Sequence, residues 1–342
     1  MKILLAGDGF VLNDLLEREL LAVPSIRSEL TKIVLPWPAV PFEPVAEVDE
    51  ASGSEEEIIR VIRDAEVIVT QMAPLTARVL AAAPALKLVI CTRGGPVNVN
   101  LRAATERGIA VCSTPGRNAV AVAEYTLLLM LAALRRLPEA HASLAGGEWR
   151  SGLYAYGESG GEIADSVVGI VGLGEIGRRV AATVRAMGAR VIAHDPYATS
   201  SDGVELVPLG ELLDRADIVT LHARLTPETR HMISAAEIAR IRPGAVLVNT
   251  ARGGLLDYDA ALRALASGRL RALALDVFPE EPVPATSPLL RARGVVLSPH
   301  LAGATRQTAA RAAATAANEL DRYARGEPLM HVVNGIQPRV RR

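Results

Sequence analysis

One six-residue segment constrains this chain more than any other. Gly172-Leu173-Gly174-Glu175-Ile176-Gly177 fits the pattern G-x-G-x-x-G, in which glycines let an anion approach backbone N–H groups at the mouth of a helix. Alone the pattern is weak. Here it directly follows the apolar run Val167-Val168-Gly169-Ile170-Val171 and opens a helical stretch, which is the strand-turn-helix setting of a dinucleotide-binding loop. A strand without polar alternation is covered on both faces, so this loop requires a parallel sheet between layers of helix.

The rest of the chain agrees. Short Val/Ile/Leu runs at residues 3–6, 67–70, 88–91 and 109–112 alternate with helix-like segments, and six more at 167–171, 190–194, 218–221, 245–249, 272–275 and 295–298 suit a doubly wound sheet. A length of 342 residues allows about two domains. Thr114-Pro115-Gly116 punctuates the chain before a long Ala/Leu-rich helix at 118–137, where a domain crossing is expected. A second Ala-rich helix at 305–323 and its short tail are expected to pack back onto the first domain. The predicted division is 1–115 plus 304–342 against 116–303.

A net charge of -1 leaves no global field for nucleic acid or an anionic membrane. Cys91 and Cys112 are far apart and outside any metal-ligand spacing, so they read as small buried hydrophobes, with neither a disulfide framework nor a metal site. The N-terminus reads as a first strand rather than a signal peptide, and the most apolar stretch, 119–134, is interrupted by Glu124 and too short to span a bilayer. A cytoplasmic location is expected. Residues 145–161 hold Trp149, Tyr154 and Tyr156 among six glycines; concentrated aromatics in a loop fit a subunit contact or a loop folded over its own domain.

Asp195 ends the strand after the glycine loop, 18 residues beyond Gly177, where a carboxylate accepts hydrogen bonds from the adenosine ribose. It would repel the 2'-phosphate of NADP, and the following Pro196-Tyr197-Ala198-Thr199-Ser200-Ser201 offers no Arg or Lys to offset that. The expected cofactor is NAD.

Three further segments place reactive side chains just beyond strand ends: Asn249-Thr250-Ala251-Arg252-Gly253-Gly254, Asp276-Val277-Phe278-Pro279-Glu280-Glu281-Pro282 and Ser298-Pro299-His300-Leu301-Ala302-Gly303. Hydride transfer to a 2-oxo acid needs a cation for the carboxylate and carbonyl dipole, and an acid to protonate the oxygen. Arg252 and His300 supply these, and a neighbouring Glu281 would stabilise the imidazolium. Singly, each fits a surface charge, a proline turn or a helix-flanking residue. Their joint occurrence in the sheet that carries the glycine loop favours a site. His222 is kept as a neighbour of that site.

At these residues, and over almost its whole length, the chain resembles the D-isomer-specific 2-hydroxyacid dehydrogenases, the group including phosphoglycerate, formate and D-lactate dehydrogenases and glyoxylate/hydroxypyruvate reductases. The glycine loop, Leu225-Thr226-Pro227-Glu228-Thr229, Asn249 to Gly253, Asp276-Val277-Phe278 with Glu281-Pro282, and Pro299-His300 follow the family's order. The resemblance implies a flavodoxin-like substrate domain with an inserted Rossmann NAD-binding domain, a cleft that closes on substrate, and homodimers through the NAD domain and its long loop. It implies Arg252 on the substrate carboxylate, Glu281 paired with the acid/base His300, and Asp276 on the nicotinamide amide. Candidate cofactor contacts are Gly172, Gly174, Glu175, Ile176, Gly177, Asp195, Thr250, Ala251, Arg252, Asp276, His300 and Gly303; candidate substrate contacts are Arg93, Gly94, Gly95, Arg252 and His300.

Two departures from the family pattern bear on substrate. Relatives usually carry acidic residues where Val97 and Asn100 stand, and Arg93 beside Gly94 and Gly95 adds a fork for a carboxylate or phosphate, or else points to solvent. Arg224 replaces a common proline. The chain length leaves no room for an added regulatory domain, which speaks against an allosteric biosynthetic phosphoglycerate dehydrogenase. The competing readings are an NAD(H)-sensing corepressor-like protein of the same fold and an NADPH-preferring glyoxylate/hydroxypyruvate reductase.

Overall fold

The computed structural model describes all residues except Arg27, 199–202 and 339–342. Thr199, Ser200 and Ser201, read above as part of a cation-free segment, therefore lie outside the described residues. The chain forms two compact units, Met1–Arg117 with Ala304–Arg342, and Asn118–Gly303.

In chain order the first unit contains β1 (Lys2–Gly7), α1 (Asn13–Leu21), β2 (Glu29–Val34), β3 (Glu43–Val45), β4 (Val48–Ala51), α2 (Glu55–Ile62), β5 (Val67–Thr70), α3 (Ala77–Ala81), β6 (Leu88–Cys91), α4 (Leu101–Glu106) and β7 (Ala110–Cys112). Five strands form a parallel sheet in the order β2-β1-β5-β6-β7, and β3 and β4 make a separate antiparallel pair. Successive side chains of a strand face opposite ways, and both faces are apolar here. Ile3 and Leu5 pack with Leu16 and Leu20 of α1 and with Ala309, Ala313 and Leu320 of the C-terminal helix (Arg306–Arg325). Leu4 and Ala6 face Ile58, Ile62, Val79 and Leu80. Each fully buried large aliphatic contributes about 1.5–3 kcal/mol, which is why the doubly apolar runs were readable as strands. β2 was not, because its half-exposed sequence Glu29-Leu30-Thr31-Lys32-Ile33-Val34 lacks such a run. The order reverses between β1 and β5, as in flavodoxin-like sheets. Cys91 and Cys112 are buried free thiols, and burial pushes Cys91 up to about 11.

The second unit contains α5 (Ala119–Leu134), α6 (Leu137–Ala145), β8 (Val167–Val171), α7 (Glu175–Ala186), β9 (Arg190–His194), β10 (Glu205–Leu206), α8 (Leu209–Arg215), β11 (Ile218–Leu221), α9 (Ala235–Arg240), β12 (Ala245–Asn249), α10 (Tyr258–Ala266), β13 (Leu270–Leu275) and β14 (Val295–Leu297). Its parallel sheet runs β10-β9-β8-β11-β12-β13-β14, reversing between β8 and β11 as in a Rossmann sheet. Seven strands stand where the pattern predicts six. The extra one, β10, is two exposed residues paired with Ile192 and Ala193 of β9, too short to leave a periodic signal. Val168 and Ile170 pack with Met130 of α5 and Val180 and Val184 of α7, while Val219 faces Leu212 of α8 and Ile238 of α9.

Among the described residues no helix is long and apolar enough to cross a membrane. In the 145–161 loop Trp149, Tyr154 and Tyr156 are 81%, 92% and 100% exposed, so these rings do not fold down onto their own chain.

Candidate active site

The glycine loop starts where β8 ends. Gly172 has φ +97°, a conformation open to glycine, and a Cβ there would stand 2.6 Å from the backbone nitrogen of Ala223. A Cβ on Gly177 would lie 2.1 Å from the Gly172 carbonyl oxygen, so the first turn of α7 can press on the loop only without one. Gly174 is different. Nothing lies within 4 Å of its would-be Cβ, and it begins α7 with no side chain accepting from the first-turn N–H groups. Free N–H groups at the positive end of a helix dipole, beside open space, fit the pyrophosphate of a dinucleotide.

Asp195 follows β9. Its Oδ2 accepts from the Leu173 N–H at 2.8 Å and its Oδ1 from the Tyr197 N–H at 2.8 Å. The carboxylate thus braces the glycine loop, and each oxygen keeps a lone pair for a ribose hydroxyl. Ile176 packs partly on the core, and exposed Glu175 lies 3.9 Å from Arg179.

The reactive side chains gather beyond β12, β13 and β14. Asn249, the last residue of β12, accepts from the Ala251 N–H at 3.1 Å and donates to the Arg252 carbonyl at 3.0 Å, which fixes the turn carrying Thr250, Ala251 and Arg252. The next residue must be glycine, since a Cβ on Gly253 would fall 2.0 Å from the Phe278 carbonyl oxygen. That close contact ties the arginine turn to the segment holding Glu281. Arg252 itself is exposed, and its guanidinium donates to the Ala251 carbonyl at 2.6 Å.

Asp276, fully buried at the end of β13, accepts from the N–H groups of Leu301 and Ala302 at 2.8 and 2.9 Å, and its carbonyl accepts from the His300 N–H at 2.9 Å. The Asp276 carboxylate therefore anchors the histidine turn, which its reading as a nicotinamide contact did not include. Burial raises its pKa against the hydrogen bonds from Ser298 and these two N–H groups. Gly303 closes the turn, with a would-be Cβ 3.0 Å from the Asn118 amide.

Gripped in this way, His300 sits at φ +54°, a left-handed conformation costly for a non-glycine residue and concentrated at functional sites. Its Nδ1 meets Glu281 Oε2 at 2.7 Å, while Glu281 Oε1 accepts from the Phe278 N–H at 2.9 Å. Nδ1–H donates to the carboxylate, and the half-exposed ring (50%) leaves Nε2 available. The Glu281 hydrogen bond, followed by partly opposing burial and the charges of Glu281 and Asp276, raises the His300 pKa. Burial raises that of Glu281, but the hydrogen bond and charge of His300, the Phe278 N–H and Arg252 outweigh it, and the net direction is down. Arg252 is felt electrostatically by both, so the three predicted residues form one cluster.

Supports that sequence reading missed hold this cluster. Thr126 and Tyr125 of α5 bond the hydroxyls of Thr250 and Ser298 at 2.8 and 2.6 Å. The buried Tyr258 hydroxyl donates to the Val277 carbonyl at 2.6 Å and accepts from Asn249 at 3.3 Å. The only signal was a pair of hydroxyl residues inside an apolar helix. His222, bonded to Thr220 at 3.0 Å, is held neutral by burial, with a pKa lowered to about 4.

Arg93, Gly94 and Gly95 lie in the first unit. Arg93 pairs with Glu50 at 2.8 Å and reaches the Met72 sulfur, so it is neither free nor simply solvated. Gly94 and Gly95 are exposed with open space where a Cβ would be. Asn100 caps α4 by accepting from the Ala103 N–H at 2.9 Å. The side chain of Arg224 is exposed, and nothing in the structure explains its departure from proline.

Comparison with known proteins places this geometry. The sequence model described as D-isomer specific 2-hydroxyacid dehydrogenase, NAD binding domain, matches residues 127–302. The chain is 41% identical over 300 residues to D-3-phosphoglycerate dehydrogenase of Methanocaldococcus jannaschii, covering 86% of this chain and 56% of that protein. It is 37% identical to glyoxylate reductase of Korarchaeum cryptofilum, covering 86% of this chain and 90% of the relative. It thus spans little more than half the length of the phosphoglycerate dehydrogenase but nearly all of the glyoxylate reductase. Among solved structures, NAD-dependent formate dehydrogenase from Staphylococcus aureus in complex with NAD superimposes with a TM-score of 0.76 at 28% identity, over 97% of this chain and 98% of that one. The chain belongs to the D-isomer specific 2-hydroxyacid dehydrogenase family.

Proposed function

We propose that this protein is an NAD-dependent oxidoreductase acting on C2 of a small D-2-hydroxy acid or its 2-oxo counterpart. The observation that carries the reading is the His300–Glu281 pair, held at 2.7 Å on a strained turn within electrostatic reach of Arg252. When bound, the nicotinamide supplies or accepts the hydride. The chain's own residues do the rest. The glycine loop and the α7 N-terminus hold the pyrophosphate, and Asp195 selects the unphosphorylated ribose. Arg252 takes the substrate carboxylate and polarises the carbonyl. His300 Nε2 gives a proton to the carbonyl oxygen during reduction and takes one from the hydroxyl during oxidation, while Glu281 stabilises the imidazolium.

The same reading assigns residues 116–303 to the NAD domain and 1–115 with 304–342 to the substrate domain, whose Arg93, Gly94 and Gly95 contribute substrate contacts. The exposed Trp149, Tyr154 and Tyr156 support a homodimer contact. A cytoplasmic location goes with this metabolic role.

The test is to follow loss of reduced-cofactor absorbance with NADH or NADPH and a panel of 2-oxo acids, beside a His300→Asn control. Asparagine adopts the left-handed backbone readily, so the control keeps the turn. Turnover with NADH in preference to NADPH, reduced about 10²- to 10⁴-fold in the control, is expected. Tight NADH binding with no turnover on any acid would replace the enzyme by a dinucleotide sensor.

A further inference from the structure

The second unit holds an ion network whose members stand at both ends of its aromatic loop. Glu139, in the first turn of α6, accepts from Arg136 at 2.8 and 3.0 Å, from Arg150 at 2.7 Å and from Arg293, just before β14, at 3.0 Å. Arg136 in turn donates to the Glu158 carbonyl at 3.2 Å and pairs with the Glu158 carboxylate. Arg150 stands just after the chain leaves α6 and Glu158 where it returns toward β8, so Arg136 and Glu139 together grip both stems of the loop. The returning stem is fixed twice more. Arg271 of β13 donates to the Ser159 carbonyl, and a Cβ on Gly160 would fall 2.2 Å from the Leu134 carbonyl oxygen at the end of α5.

Isolated surface ion pairs contribute little, and networks of well-formed pairs are the exception. The two central side chains are largely covered, Arg136 being 21% and Glu139 26% exposed. Burial pushes the Glu139 carboxyl up, but the hydrogen bonds from Arg150, Arg136 and Arg293 outweigh it and bring it down to about 2, so it stays charged at neutral pH. Arg136 lies at φ +54°, a left-handed conformation that a non-glycine residue keeps only where its surroundings hold it. Here its guanidinium, shared between Glu139 and Glu158, does so.

This grip presents an apolar surface. Trp149 adjoins Arg150, Tyr154 and Tyr156 lie between the stems, and all three rings are almost fully exposed. None of the nine residues of α6 is buried, and its Leu137 and Leu144 are exposed as well. Rings of about 150–250 Å² each present roughly 400–700 Å² in all; with the leucines this approaches the about 800 Å² that each partner of a standard interface buries. Two like surfaces therefore have the area a dimer of this chain needs. A loop ordered before contact is spared the cost of ordering on binding, which tightens association.

We propose that the network of Arg136, Glu139, Arg150, Glu158 and Arg293 is a clamp that orders the aromatic loop in advance and thereby sets how tightly two copies of the chain associate. The assembly half rests on the homodimer reading above; the ordering of the loop rests on this unit alone.

Three variants test it. Glu139→Gln keeps the shape and removes the carboxylate that three arginines share. Arg136→Gly removes the bridge at a backbone angle that glycine adopts freely. Glu106→Gln, which breaks the exposed Arg102–Glu106 pair of α4, controls for the loss of one surface charge. Sedimentation velocity over a dilution series is expected to give a dimer dissociation constant at least about tenfold higher in both clamp variants and within about threefold of wild type in the control, with unchanged circular dichroism showing that all three fold. A dimer whose constant stays within about threefold in the clamp variants, or shifts as far in the control, overturns the proposal. Hydrogen exchange of peptides covering residues 146–160, followed at a dilution where the protein is monomeric, needs no dimer. Exchange at least about tenfold faster is expected in both clamp variants. If the wild type is monomeric at every concentration, the homodimer reading fails alone: faster exchange still supports the clamp, and unchanged exchange overturns it.

Discussion

His300 concentrates the argument at the scale of single residues. Its backbone lies at φ +54°, its amide is fixed by the Asp276 carbonyl and its ring by Glu281, so these two hydrogen bonds hold the residue against its conformational preference. The hydrogen bond that His300 donates to Glu281 is the foremost cause of its raised pKa. Reduction needs the imidazolium, so kcat/KM for reduction should be level at low pH and fall as pH rises through a value above 6.5; oxidation should rise through it. Glu281→Gln removes the carboxylate, lowers that pKa, and should move the break in the reduction profile to lower pH while reducing kcat at neutral pH about 10- to 1000-fold. A profile that keeps its break in the variant would show that Glu281 does not set the proton affinity of His300.

At the scale of elements, the site depends on how α5 holds the loops beyond β12 and β14. Thr126 bonds Thr250 at 2.8 Å where both are nearly inaccessible to solvent. Thr126→Val keeps the shape and leaves the Thr250 hydroxyl unpaired, so a loss of about 1–3 kcal/mol is expected in urea denaturation; an unchanged midpoint would mean that water replaces the bond freely. The sequence made the strands of both sheets legible because their residues are apolar on both faces, and Arg252, Glu281 and His300 were legible because each follows such a strand. The bracing by Thr126, Tyr125 and Tyr258 was not, since a hydroxyl's partner is set by tertiary packing rather than by spacing. Nor was the Asp195 bond to Leu173, which requires the glycine loop already folded. β2 and β10 escaped for want of an apolar run.

On the scale of the whole molecule, two parallel sheets repeat one principle. Each reverses its strand order once, between β8 and β11 in one unit and between β1 and β5 in the other, and in the second unit the reactive side chains stand in the loops at the strand carboxyl ends. The family fixes the class of protein; the side chains at the strand ends of the second unit carry the proposed reaction. The claim on which the rest depends is that hydride passes to C2 of an acid. It is tested most directly by incubating the protein with NADH deuterated at the transferring C4 position and a 2-oxo acid, then analysing the product by mass spectrometry and chiral chromatography. The account predicts a D-2-hydroxy acid with one deuterium at C2, formed by the wild type and nearly absent with His300→Asn. A product of the L configuration, or NADH that binds and transfers no deuterium to any acid, would contradict it.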